Sequence, residues 1–176
     1  MSRRNTISRE FFATIAAVLV LGLSVMCAIQ AALSAAYFIG ERKSSLTDVL
    51  NGATALSERF ADEGSIVTKP LQGEDVLERA HSGFELFNTA SGALVFIADE
   101  NGQILLHTGD DAFTGAGVPA SYIDELNEGH DIFETGTLDG VYCAKYYTAR
   151  RRITVGGQDG YLFAASPMAA LGSYMT

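Results

Sequence analysis

The side chains that could bind metals in this sequence fall into two short groups. His107 is followed by Asp110 and Asp111, and His130 is followed by Asp131, so either group could begin a metal site. Neither group supplies the three or four ligands that a zinc site requires. Both fall where a loop or a helix end is predicted, so we interpret them as surface or capping residues and predict no metal site.

The short motifs that mark common catalytic sites do not occur in the sequence. It contains no G-x-S-x-G elbow, no P-loop, no H-E-x-x-H and no C-x-x-C, which are signatures of acyl transfer, phosphate binding, zinc proteolysis and thiol redox chemistry. Cys27 and Cys143 are the only cysteines. Cys27 falls in an uncharged apolar run, so no disulfide within one domain is expected. We therefore predict no catalytic residue and no cofactor for this chain.

One basic cluster, Arg150-Arg151-Arg152, stands in an otherwise acidic region. Three adjacent guanidinium groups could meet an anionic ligand or lipid headgroups. A solvated strand end balanced by nearby carboxylates explains the same residues, and this is the interpretation that we favour for the cluster as a whole.

Charge divides the sequence into two parts. The 176 residues carry 12 basic and 21 acidic side chains, a net charge of −9. Residues 11–40 have no charge, whereas residues 44–176 carry 7 basic and 19 acidic residues, a net charge of −12. A nucleic-acid binder needs clustered Lys and Arg, and a uniformly soluble enzyme does not need the uncharged run. Both classes are therefore disfavoured.

The uncharged run predicts a transmembrane helix. As a helix, 30 residues would extend roughly 45 Å, more than the about 20 residues that a bilayer core requires. Arg3, Arg4 and Arg9 place residues 1–10 in the cytoplasm by the positive-inside rule. We therefore expect a cytoplasmic tail at 1–10, a membrane helix at 11–40 and an extracytoplasmic domain at 41–176.

Two export signals are the alternatives to an uncleaved anchor. Residues 32–34 (ALS) or 34–36 (SAA) could serve as a signal-peptidase site, but the apolar run exceeds the 7–15 residues typical of a signal peptide. Arg3-Arg4 faintly resembles a twin-arginine signal without its usual aromatic residue. An uncleaved anchor is the preferred interpretation.

Small residues recur every fourth position along the predicted membrane helix. This spacing places them on one helix face, where a second helix could approach closely. We predict helix packing, in a homodimer or against another helix of the same chain, through Ser24, Ala28, Ala32 and Ala36.

The outer region predicts helices followed by strands. Apolar residues at spacings of three and four indicate one helix from Ser44 to Phe60 and a second over residues 76–87. A short helix is expected from Pro119 to Gly129. The predicted strands lie at residues 93–98, 103–107, 131–135, 141–148 and 161–165, the first two joined as a hairpin by the turn DENG. The order predicts an α+β domain with one antiparallel sheet flanked by helices.

The segment IADENGQI at residues 97–104 resembles the D-x-x-G hairpin of extracellular PAS-like (Cache) sensor domains. YYT at 146–148 and GYLFAASP at 160–167 resemble their last strands. With the basic tail and membrane helix, the chain is similar to the N-terminal input half of a bacterial membrane sensor histidine kinase. This resemblance implies a signal-input role in a two-component system, with histidine autophosphorylation supplied by a region beyond Thr176.

The resemblance also implies a ligand pocket on the inner face of the sheet. We expect Tyr142, Cys143, Tyr146, Tyr147 and Phe163 to line that face in alternate sets, with ordinary core packing as the other interpretation. The candidate ligand-binding residues are Tyr142, Tyr146, Arg150 and Phe163.

Two further classes of protein fit the same sequence. The chain could be an exported or anchored accessory binding domain, or the input half of a chemoreceptor or nucleotide cyclase. In each case the expected partners are the membrane, a second copy of the chain through its helices, and an unknown small ligand or protein signal. No nucleic acid is expected.

Overall fold

The computed structural model describes residues 3–61, 74–126, 130–155 and 158–168. The chain divides into two compact units, Met1–Glu41 and Arg42–Thr176. The helices are α1 Arg3–Ala61, α2 Glu74–Ser91 and α3 Ala120–Leu126, and the strands are β1 Leu94–Ala98, β2 Ile104–His107, β3 Ile132–Gly136, β4 Tyr146–Val155 and β5 Gln158–Pro167.

The first unit is the apolar part of α1. Within the described residues, α1 is the one helix whose length and composition would let it cross a membrane. Most of its large apolar side chains are exposed, by 44% for Ile15 up to 75% for Phe12. Ser24, whose hydroxyl donates to the carbonyl of Val20 over 2.8 Å, lies on the small-residue face, and packing through that face stays a prediction.

The second unit contains one antiparallel five-stranded sheet of order β2-β1-β5-β4-β3. The predicted α+β architecture, with helices flanking a single sheet, is therefore confirmed. Every residue of β1 is buried, because both faces of the sheet centre are covered. An edge strand such as β3 is only half-buried.

Each face of the sheet packs into its own apolar cluster. Residues 46–57 of α1 and part of α2 cover the helix face, where Leu50, Ala53 and Phe84 are fully buried against Val95 and Leu162. The opposite face, which we call the aromatic face, packs against α3 and two loops. Its cluster includes Phe96, Leu126, Leu138, Tyr142 and Phe163.

The predicted hairpin is present between β1 and β2. The Asp99 carboxylate accepts hydrogen bonds from the backbone N–H groups of Asn101 and Gln103 at 2.9 and 2.8 Å, which closes the turn. Gly102 has a φ of 77°, a left-handed conformation that glycine adopts without steric cost. The D-x-x-G pattern therefore marks this turn for a physical reason.

The strand predicted at 141–148 is wrong over its first half. Strand β4 begins at Tyr146, and the preceding residues form turns and an isolated bridge between Tyr142 and Phe113. The N–H groups of Val141 and Tyr142 donate to the carbonyls of Leu138 and Thr137, so these residues close a turn instead of pairing with β5. Leu138 and Asp139, within this turn, have φ values of 51° and 50°. Gly129, at the predicted end of the short helix, and residues 156–157 of the predicted turn lie outside the described residues. The side chain of Phe60, at the predicted end of the first outer helix, also lies outside them.

Candidate functional site

A buried arginine lies at the centre of the aromatic face. The side chain of Arg150 is 1% exposed and projects from β4 beside Phe163 of β5 and Ile132 of β3, its partners in register. A buried charge is stable only when it is paired and hydrogen-bonded. The groups around Arg150 therefore decide what this part of the fold can do.

Three neighbouring residues interact with the Arg150 guanidinium. One terminal nitrogen donates to the backbone carbonyl of Tyr122 over 2.9 Å, and the other pairs with the Glu125 carboxylate and lies 3.6 Å from Glu134 Oε2. The guanidinium carbon is 4.6 Å from the centroid of the Tyr122 ring, a cation–π distance. Helix α3, which carries Tyr122 and Glu125, is thus held to β4 by polar contacts.

Two buried polar atoms in this group have no hydrogen-bond partner among the described residues. They are Arg150 Nε, a donor, and Glu134 Oε1, an acceptor. Leaving a buried polar group unsatisfied costs about 1–3 kcal/mol, and more when the group is charged. Most buried polar atoms of native proteins therefore have a hydrogen-bond partner. A molecule that offers both an acceptor and a donor would satisfy this pair.

Aromatic side chains border the polar group. The Tyr142 and Tyr146 ring centroids are 4.8 Å apart, and the Tyr142 hydroxyl accepts a hydrogen bond from Thr148 over 3.3 Å. Burial raises the pKa of Tyr142 far above its usual range, so it remains a neutral phenol. We define the Arg150 site as Arg150, Glu134, Tyr122, Tyr142 and Tyr146.

The structure places the four candidate ligand residues in two different settings. Tyr142, Tyr146 and Arg150 come together in the Arg150 site. Phe163 is fully buried and stacks on Phe96, with ring centroids 4.5 Å apart and planes 5° apart, which is a core position. A role of any of these side chains in ligand binding stays a prediction.

The expectation that Tyr147 and Cys143 line the aromatic face is wrong. Tyr147 points to the helix face, where its ring stacks with Phe133 at 6.0 Å. Cys143 is exposed and precedes β4. Side chains alternate along a strand, so Tyr146 lies on the aromatic face and Tyr147 on the helix face.

The basic cluster is not a single patch on a strand end. Arg150, Arg151 and Arg152 lie within β4 and point alternately to its two faces, and each pairs with a different carboxylate. The pairs are Arg150 with Glu125 and Glu134, Arg151 with Asp131, and Arg152 with Asp159. The prediction that nearby carboxylates balance the arginines is therefore confirmed for all three. The prediction that they are solvated is wrong for Arg150, which is buried.

Glu134, Glu125 and Tyr122 are not singled out from the sequence as site residues. The one available signal is the acidic residue within the strand predicted at 131–135, since Glu134 shares a strand face with Ile132. Glu125 lies 25 residues from Arg150 in sequence, and no local pattern links the two.

The histidine groups do not form a metal site in the described part of the chain, where no cluster of three or more His, Cys, Asp or Glu side chains could hold a metal ion. His107 Nδ1 lies 3.3 Å from Asp110 Oδ1, and His130 and Asp131 are exposed. Asp131 pairs with Arg151 instead of a metal.

The ionisation of Glu134 should make stability depend on pH. Burial raises the pKa of Glu134 above its ordinary value of 4.5, and Glu125 and Asp139 raise it further, while Arg150 lowers it. The folded protein therefore binds a proton more readily than the unfolded chain. Between the ordinary and the raised pKa, native Glu134 holds more protons, so its contribution to stability falls as pH rises through that window.

We expect Glu134→Gln to remove this contribution. The measurement is urea unfolding of the full chain in detergent micelles, followed by circular dichroism from about pH 4 to pH 8. The free energy of unfolding of the native chain should fall relative to that of the variant as pH rises from about 4.5. A difference that stays constant or changes in the opposite direction would contradict the raised pKa.

The chain is similar to solved structures but matches no sequence family. No family model matches the sequence, and no curated protein matches it. The sensor domain of the Vibrio cholerae histidine kinase DctB is 15% identical, with a TM-score of 0.45, over 76% of this chain and 57% of that one. The ligand-binding domain of the Campylobacter jejuni chemoreceptor Tlp3, in complex with L-valine, is 14% identical, with a TM-score of 0.43, over 74% and 57%.

The same Tlp3 sensory domain with isoleucine bound gives 14% identity and a TM-score of 0.43. This chain thus spans a little over half the length of these solved chains. These solved chains are sensor domains of a histidine kinase and of a chemoreceptor.

Proposed function

We propose that this chain is the signal-input portion of a membrane receptor in two-component signal transduction. Its Arg42–Thr176 unit lies outside the cytoplasm and binds a small ligand at the Arg150 site, and helix α1 anchors it in the membrane with residues 1–10 in the cytoplasm. The observation that carries the proposal is the pair of the buried Arg150 with the half-buried Glu134, because each side chain has one buried atom without a hydrogen-bond partner among the described residues.

The two unpartnered atoms favour a ligand that carries both charges. Arg150 Nε is a donor that would bind a carboxylate, and Glu134 Oε1 is an acceptor that would bind an ammonium group. The surrounding Tyr142 and Tyr146 rings suit a small apolar side chain. A small zwitterion such as L-valine is therefore the probe that fits the chemistry.

Signalling requires that the ligand bind two arrangements of the domain with different affinity. Residues 46–57 of α1 cover the helix face of the sheet, so a change in the sheet can be passed to α1. The same input would serve a histidine kinase, a chemoreceptor or a cyclase, and the two-component output is the one that the sequence resemblance favours.

Cys143 allows location and binding to be tested together. Its thiol is exposed and it directly follows Tyr142 of the Arg150 site. In the Cys27→Ala variant, we expect a membrane-impermeant maleimide to label Cys143 in intact cells, because the domain lies outside the cytoplasm. We also expect L-valine to slow this labelling several-fold, because a ligand beside Tyr142 and Tyr146 restricts access to the thiol.

Two controls make the labelling result decisive. The Cys27→Ala/Cys143→Ser double variant should not be labelled, and isobutylamine, which lacks the carboxylate, should not slow the reaction. Labelling only after the cells are lysed would contradict the proposed topology. Labelling from outside at a rate that L-valine leaves unchanged would support the topology and count against this ligand class.

A further inference from the structure

Two adjacent arginines of β4 face opposite sides of the sheet. Arg150 lies on the aromatic face in the Arg150 site, and Arg151 lies on the helix face, with its side chain 23% exposed. Successive side chains of a strand point to opposite faces, so any displacement of β4 at Arg150 also moves the backbone that carries Arg151.

The Arg151 guanidinium joins three segments of the domain. Its Nε donates to Asp131 Oδ1 over 2.6 Å, and a terminal nitrogen pairs with Asp131 Oδ2. The other terminal nitrogen donates to Asn51 Oδ1 of α1 over 2.9 Å. Asp131 immediately precedes β3, the strand that carries Glu134. One side chain thus connects α1 with both strands that bear the charged residues of the Arg150 site.

This contact differs in kind from the apolar packing around it. Leu46, Leu50 and Ala53 of α1 pack against the sheet through side chains such as Ala149 and Ile153. Apolar burial has no preferred direction, so such a surface permits small sliding movements. A bidentate arginine–carboxylate pair extended by an amide hydrogen bond has fixed geometry and therefore transmits a displacement.

We infer that Arg151 is a positioning residue that couples the Arg150 site to helix α1 through Asn51. The inference rests on the proposed ligand-sensing function, since it concerns how an event at Arg150 reaches α1. Arg151 touches no group of the Arg150 site, so its removal should disconnect the two faces of the sheet while leaving the site intact.

The test compares Arg151→Met with Arg152→Met in the full chain in detergent micelles. Both variants keep an apolar stem and lose one ion pair, but Arg152 lies on the face of β4 opposite to Arg151 and pairs with Asp159 of β5. The readouts are L-valine affinity by calorimetry and amide hydrogen exchange of residues 46–57, which reports local opening of α1.

We expect L-valine to slow exchange of residues 46–57 by about threefold or more in the native chain and in Arg152→Met. In Arg151→Met the affinity should stay within about twofold, while the exchange response of α1 disappears. Retention of that response in Arg151→Met, or its equal loss in both variants, would overturn the inference.

A second arm needs no ligand, so its outcome is separate from that of the proposed function. Glu134→Gln perturbs the Arg150 site directly, and we expect it to change exchange of residues 46–57 in the native background but not in Arg151→Met. If L-valine does not bind, the comparison of Glu134→Gln with and without Arg151 alone tests the coupling role. A Glu134→Gln effect on α1 that is the same with and without Arg151 would overturn the coupling role.

Discussion

Replacing Arg150 with methionine is expected to abolish L-valine binding and to destabilise the domain. Truncating one member of a buried hydrogen-bonded charge pair costs about 2–5 kcal/mol in binding, which corresponds to roughly 30-fold or more in affinity. The substitution also removes the charge that balances Glu134, whose Oε1 is buried. Breaking a buried pair in this way is more damaging than removing both members.

A double variant separates the two effects. Arg150→Met/Glu134→Gln removes the positive charge and the negative charge together, so we expect it to recover much of the free energy of unfolding that Arg150→Met loses. It should not recover binding, because neither charged partner of the zwitterion remains. Both quantities are measured on the full chain in micelles, by calorimetry with L-valine and by urea unfolding.

Glu125→Gln is the matched control for this experiment. Glu125 also pairs with Arg150, but its side chain is 59% exposed. Glutamine keeps an oxygen that can accept from Arg150, and Glu134 still balances the charge, so the change should cost about 1 kcal/mol or less in stability. Binding by Arg150→Met at native affinity would show that the Arg150 site is not the ligand site. Equal losses of stability in Glu125→Gln and Arg150→Met would show that the burial of Arg150 does not determine the cost of breaking its ion pairs.

The elements that could be predicted from the sequence are those specified by local chemistry. The D-x-x-G turn is fixed by hydrogen bonds of Asp99 to residues two and four positions along the chain, and the amphipathic spacing around Phe84 lies within a single helix. Both signals are contained in a short window, so the hairpin and the second helix are where they were expected.

The wrong strand prediction arises at a turn that the sequence does not signal. The residues from 141 to 145 look like a strand because Val141 and Tyr142 are β-favouring, but these two residues close the turn that contains the left-handed Leu138 and Asp139. Nothing in a leucine signals a positive φ, which such a residue rarely adopts. Tyr146 and Tyr147 occupy opposite faces because side chains alternate along β4, and the register of β4 with β5 decides that Tyr146 is the one on the aromatic face.

The composition of the Arg150 site could be predicted only in part, because its pairs are distant in sequence. Tyr142, Tyr146 and Arg150 belong to one stretch of chain and are found together. Glu125 and Glu134 reach Arg150 from α3 and β3 through the register of the sheet. That register depends on tertiary packing, which is why three adjacent arginines suggest a patch and instead pair with four separate carboxylates.

Replacing Phe163 with alanine is expected to be the most destabilising of the substitutions considered. The side chain is fully buried and stacked on Phe96, and it lies at the centre of the sheet between β1 and β4. Phe-to-Ala substitutions in cores cost about 3–5 kcal/mol, a large share of the about 5–15 kcal/mol that stabilises a typical domain. The Leu86→Ala control, at an exposed position, should change stability by about 0.5 kcal/mol or less.

Phe163→Leu distinguishes a core role from a ligand contact. If Phe163 acts through packing, leucine should restore most of the stability lost in the alanine variant, since apolar replacements of similar volume usually cost less than about 1.5 kcal/mol. The affinity for L-valine, measured by calorimetry, should then match the native value. A Phe163→Leu variant with native stability and at least about tenfold weaker binding would instead place Phe163 in direct contact with the ligand, and the Arg150 site would extend to the sheet centre.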